Sequence, residues 1–120
     1  MSIENIVFHG SRTGPILPQA RDVYSGAPSA GLGEWFGTDS KEYAQQYGSV
    51  ERCQIILHKP YYMDAAEFRV YDRHICANYK RSRIFREELQ SKGFDGIVVT
   101  HLDGVKEFIL FYRSSAQKID

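Results

Sequence analysis

The chain reads as an α+β domain, and three observations predict that class. The C-terminal third holds two strong strand formers, Gly96–His101 (GIVVTH) and Val105–Tyr112 (VKEFILFY), separated by the favoured two-residue hairpin turn Asp103-Gly104. Helical spacing is concentrated in the middle of the chain, where Phe68, Tyr71 or Asp72, Ile75 and Tyr79 recur three to four apart. Strand patterns outnumber helical ones and do not alternate with them, unlike the order that builds a wound parallel sheet.

The elements follow in order. Asn5–His9 (NIVFH) is a short run of β-branched and aromatic residues, the first strand. Gly10–Pro15 breaks it, Ile16–Val23 holds a helical turn or two around Pro18, and Tyr24–Gly33 is a Gly, Ser, Ala and Pro-rich loop. Glu34-Trp35-Phe36 is a short strand carrying the single tryptophan. Thr38-Asp39-Ser40 supplies helix-capping oxygens for a short helix with Tyr43, Ala44 and Tyr47, which stops at Gly48. Val50–His58 alternates and then turns apolar, as a largely buried strand would; Pro60 ends it, and Tyr61-Tyr62-Met63 is a brief further strand. A second helical segment, Ser82–Lys92, should turn Ile84, Phe85 and Leu89 inward and Arg86, Glu87 and Glu88 outward, with Gly93 past its end. The polar tail from Arg113 onward offers only Ile119 for docking.

Composition bounds the function. At 120 residues there is room for one domain, residues 1–120, and a 42% hydrophobic content fits a globular chain. Fifteen basic residues balance fifteen acidic ones, so no overall field favours nucleic acid or a membrane surface. The start of the chain lacks a basic segment followed by an apolar run, and no stretch approaches a membrane span, so a cytoplasmic location is expected. Cys53 and Cys76 form no C-x-x-C pair and are expected as free, buried thiols. His9, His58, His74 and His101 fall on separate elements, which argues against a metal site. The basic cluster Lys80–Arg83 with Arg86 is read first as a solvated helix face, with an anionic partner as the lesser alternative.

Two residues stand out chemically. Glu107 shares a strand face with Val105, Ile109 and Phe111, so its charge is either solvated at the strand end or desolvated for a purpose. His9 lies at the exit of an apolar strand, just before Gly10. Between them in sequence, Gly31 and Gly33 would let the backbone approach a ligand, and Trp35, Phe36, Tyr43 and Tyr47 would wall a flat ring, or else fill the core.

In this order, FHGSR (Phe8–Arg12), GLGEWF (Gly31–Phe36), the helix ending in Tyr47, GFDGIVV (Gly93–Val99) and KEFILFYRSSAQ (Lys106–Gln117) resemble the ADP-ribosyltransferase superfamily, in its His-Tyr-Glu branch with diphtheria toxin and the poly(ADP-ribose) polymerases. The segment Glu51–Ser91 adds nothing to the likeness. The resemblance implies a split β-sandwich with a few short helices, and NAD as substrate. It implies that His9 meets ribose hydroxyls and that Gly10 holds the carboxamide. Trp35, with Phe36 beside it, would flank the nicotinamide. Tyr47 would stack on it, with Tyr43 as the alternative. Glu107 would bond the ribose 2′-hydroxyl and stabilise the oxocarbenium ion, while Ser11 and Arg12 fall in the same loop near a phosphate or the acceptor. No metal is implied. Val105, two residues before Glu107, is not the acidic or amide residue that arginine-modifying members use, and the short chain suits single ADP-ribose units. The expected activity is mono-ADP-ribosyl transfer to a macromolecule, protein before nucleic acid, by a phage or bacterial effector, toxin or anti-defence protein. A NAD glycohydrolase and an inactive NAD- or protein-binding module are the alternatives.

Overall fold

A computed structural model describes residues 2–11 and 28–119. Among the described residues, seven strands form one mixed sheet: β1 (Ile3–Ser11), β2 (Trp35–Thr38), β3 (Ser49–Leu57), β4 (Pro60–Asp64), β5 (Gly96–Thr100), β6 (Lys106–Leu110) and β7 (Ala116–Lys118). Three α-helices accompany them among the described residues: α1 (Lys41–Gln45), α2 (Ala65–Asp72) and α3 (Tyr79–Ser91). The class is α+β. The helical turns expected over Ile16–Val23 lie outside the described residues.

The strand order is β4-β5-β6-β2-β1-β3-β7, antiparallel throughout except for the parallel pair β4–β5. Its weak point is the β1–β2 junction, which rests on the single pair Phe8↔Thr38, whereas β1 and β3 pair along the whole of β1. The sheet is thereby divided into two half-sheets that part beyond Phe8.

Two apolar clusters show how the halves stack. Val98, Phe108 and Leu110 pack with Trp35 against Val7, Cys53, Ile55 and Leu57 of the β1–β3 half. On the opposite face, Ile97, Val99, Ile109 and Phe111 pack against Leu32, Met63, Phe68 and Leu89, beneath α2 and α3. The β5–β6 pair is therefore covered on both sides, which is why its sequence is continuously apolar. Glu107 belongs to the helix-side face, as alternation along the strand predicts.

Local chemistry sets the helix ends. Ser40 accepts from the Tyr43 amide to start α1, Asp64 from the Glu67 amide to start α2, and Asn78 from the Arg81 amide to start α3. α3 closes with Gly93 at φ +89, its amide donating to Gln90 O and the Phe94 amide to Leu89 O, a Schellman end.

Several expectations are corrected. The helical spacing from Phe68 to Tyr79 is not one helix: α2 ends at Asp72, a new cap forms at Asn78, and Ile75 between them is 95% exposed. On α3, Ile84 is half-exposed, while Arg86 is buried and meets Glu34 at 3.0 Å. The hairpin loop has three residues, Leu102–Gly104: His101 N–H donates to Val105 O, Gly104 N–H donates to His101 O, and Gly104 takes φ +86. The tail forms a further strand, β7, against β3, and Cys76 is exposed, with only Cys53 buried. Among the described residues, no helix is long and apolar enough to cross a membrane.

Candidate functional site

The site is built where the two half-sheets part. Register places Phe8, Thr38 and Glu107 in one row across β1, β2 and β6, so Glu107 stands two strands from Phe8, roughly 10 Å at ordinary strand spacing. α1 lies over this row. A Cβ on Gly10 would come within 2.1 Å of Ala44 O and 3.0 Å of the Tyr47 Cβ, so only glycine lets β1 and α1 approach this closely.

On the β1 side, the His9 ring stacks on Trp35, with centroids 4.6 Å apart and planes 15° from parallel. His9 Nδ1 lies 2.6 Å from Phe36 O. A carbonyl can only accept, so Nδ1 carries the hydrogen, leaving Nε2 as the atom that can meet a ligand. Trp35 is buried in the core cluster with Val7 and Phe36 is half-buried on the opposite face, so the histidine is fixed by the Trp35 ring and the Phe36 carbonyl.

On the β6 side, His101 Nε2 donates to Glu107 Oε1 at 3.0 Å, and both side chains are largely shielded from solvent. The two residues lie on the same hairpin face: Val99 is opposite Glu107 and His101 follows two residues later, a diagonal pair within reach of long side chains. The imidazole is edged by Phe68, with centroids 5.2 Å apart, and neighboured by Tyr43 at 6.1 Å. The hydrogen bond to Glu107 raises the His101 pKa above its ordinary value against the opposing effect of burial, with Glu107, Asp103 and Asp72 adding attraction for the proton. Burial first, and then the Glu107 charge, push the Tyr43 phenol well above its usual range.

Tyr43 lies on α1 beside the His101 ring, while Tyr47, expected in the same helix, stands two residues past its end in a turn at the rim, 49% exposed, with its hydroxyl 3.5 Å from that of Tyr43. Ser11 closes β1 opposite Ser49, and Arg12 lies outside the described residues. Gly10, Tyr47, Tyr43, His101 and Glu107 are thus joined by a chain of contacts around α1, whereas the stacked pair of His9 and Trp35 lies on the Val7 face of the sheet, opposite the face of Glu107. Gly31 and Gly33 do not line the site. Their missing Cβ atoms make room for Tyr79 O of α3, at 2.3 Å, and for Ile109 Cγ2 of β6, at 2.4 Å. Of the basic cluster, Arg86 is internal, whereas Lys80, Arg81 and Arg83 are exposed.

Sequence reasoning missed His101, which it treated only as a possible metal ligand. The signal was available in the hairpin register, which sets His101 and Glu107 on one face. A largely shielded carboxylate tied by one oxygen and flanked by a phenol and an imidazole can stabilise a developing positive charge or accept a proton. Among the described residues, no group of three or more His, Cys, Asp and Glu side chains is placed to hold a metal ion.

No family model and no curated protein matches the chain. Among solved structures, the chain is similar to an anti-CRISPR protein, with a TM-score of 0.56 and 18% identity over 99% of this chain and 96% of that one. At that identity the likeness concerns the fold.

Proposed function

We propose that the chain is a NAD-dependent mono-ADP-ribosyltransferase that modifies a protein acceptor as a phage or bacterial anti-defence effector. The observation that carries the reading is the Glu107 carboxylate, held by His101 beside Tyr43 at the parting of the two half-sheets. The sequence motifs support it, and Gly10, Tyr43, Tyr47 and Glu107, far apart in the chain, are joined by contacts through α1 and His101. The anti-CRISPR description of a structural neighbour supports the anti-defence setting.

In this reading, His9 Nε2 meets ribose hydroxyls, its ring oriented by Trp35 and the Phe36 carbonyl. Tyr47 or Tyr43 stacks on the nicotinamide ring, adding about 0.5–1.5 kcal/mol beyond area burial. The C1′–nitrogen bond breaks with its electron pair passing to the nicotinamide nitrogen, which becomes neutral. The positive charge then lies on the ribose, as in glycoside hydrolysis, where Glu107 stabilises it. An acceptor nucleophile bonds to C1′ and releases its proton. A carboxylate held in place for that charge contributes roughly 10²–10³ in rate.

The test gives purified protein and its Glu107→Gln variant labelled NAD, with and without bacterial extract, and follows nicotinamide and label on macromolecules. Label on a discrete protein, lost in the variant, is the expected result. Nicotinamide without label would identify a glycohydrolase. Absence of both products across several extracts would overturn the enzymatic reading in favour of a binding module, an alternative favoured by the nearly fully exposed Ile75 and Leu102.

A further inference from the structure

We propose that His101 is a positioning residue for Glu107 and that its proton gates the site: as imidazolium it cancels the carboxylate charge, and as neutral imidazole it leaves that charge available. This rests on the transferase reading for its catalytic consequence, although the coupling itself stands on geometry.

The ring is held from several sides. Its backbone is pinned by both hydrogen bonds of the three-residue loop, to Val105 O and from Gly104 N–H. Phe68 of α2 meets the ring edge-to-face and Tyr43 of α1 lies beyond it, so the imidazole keeps Nε2 aimed at Oε1. One carboxylate oxygen is thereby tied, which limits Glu107 to orientations that leave the other oxygen for a ligand. Either protonation state of the ring serves this purpose, since Nε2 bears a hydrogen in the imidazolium and in the matching neutral tautomer.

The charge does change. The groups facing the ring are Glu107 of β6, Asp103 of the loop, Asp72 at the end of α2 and the Tyr43 phenol. The acidic ones all favour the protonated ring. A carboxylate that must attract a developing cation is opposed by an imidazolium at its side. Unit charges about 6 Å apart at an effective dielectric of about 20 alter a rate by roughly a hundredfold, so a gate of roughly tenfold to a hundredfold is expected. Activity then rises with pH as His101 loses its proton, while the fold loses the ion pair over the same interval.

Two measurements decide it. The ring Cε1–H resonances of the intact protein are followed against pH by NMR, in the wild type and in Glu107→Gln. His101 is expected to titrate above about 6.5, the ordinary value for histidine, and to fall back toward it in the variant. An unchanged midpoint would overturn the coupling. Nicotinamide release from NAD is then measured from about pH 5.5 to about pH 9 in the wild type and His101→Gln, whose amide keeps an N–H donor but cannot charge. The wild-type rate should rise along the His101 titration and the variant should be flat within about twofold; a variant that keeps the wild-type rise would overturn the gate. If the wild type releases no nicotinamide at any pH, the transferase reading and the gate both fail, while the NMR titration still decides the coupling.

Discussion

The two half-sheets differ in how many faces they bury, and that difference accounts for most of the molecule. In the half containing β5 and β6, Ile97, Val98 and Val99 are consecutive and all buried, as are Phe108, Ile109 and Leu110. In the β1–β3 half, burial alternates: Cys53, Ile55 and Leu57 are inside, while Arg52 and Ile56 face outward. A doubly covered half gives a rigid frame for Glu107. A singly covered half can peel away after Phe8, and the parting leaves room for α1 with Tyr43 and for Tyr47 just beyond it. The site belongs to the seam and to neither half alone.

The strongest way to break this comparison is Phe108→Ala, which removes a fully buried ring between the halves and should cost about 3–5 kcal/mol in chemical denaturation. A loss below about 1 kcal/mol would mean the halves do not share that core. Gly10→Ala should follow, at about 1–3 kcal/mol, because its Cβ would drive into Ala44 O and displace α1. NAD binding should weaken with it, and a variant of wild-type stability would show that α1 does not lie against β1.

The His101–Glu107 pair predicts a smaller, pH-dependent effect. The folded-state pKa of His101 is raised, so its stabilisation is complete below the unfolded value and lost as pH rises through the folded one. The loss should be about 0.5–1 kcal/mol, the size of a modest ion pair, and should be absent in His101→Gln when Tm is followed against pH. Ile56→Ala, on the open face of β3, is the smallest, within about 0.5 kcal/mol.

Much of this was legible in the sequence, for identifiable reasons. Continuous apolar runs marked β5 and β6, alternation marked β3, and Ser40 and Gly93 marked helix ends that the structure keeps. The face of Glu107 followed from strand periodicity. The division between α2 and α3 was missed because spacing from Phe68 through Tyr79 mimics one helix; Asn78, a capping residue in mid-pattern, was the contrary signal. Arg86 was placed outward on charge alone, although its guanidinium reaches Glu34 from a long stem that buries well. Gly31 and Gly33 read in the sequence as a ligand approach because sequence shows a missing Cβ without showing what fills the space, here Tyr79 O and the Ile109 side chain. His101 was overlooked because its partner lies across a hairpin, and the loop length that sets the diagonal is three residues, not two.

The most direct test of the central claim, that NAD seats at the seam, is a map of backbone amide shifts on titrating NAD into isotopically labelled protein. Shifts at His9, Gly10, Trp35, Tyr43, Tyr47, His101 and Glu107, with little change at Ile56, Ser115 or Gln117 on the far edge, are the predicted result. No shifts, or shifts confined to that far edge, would contradict the account.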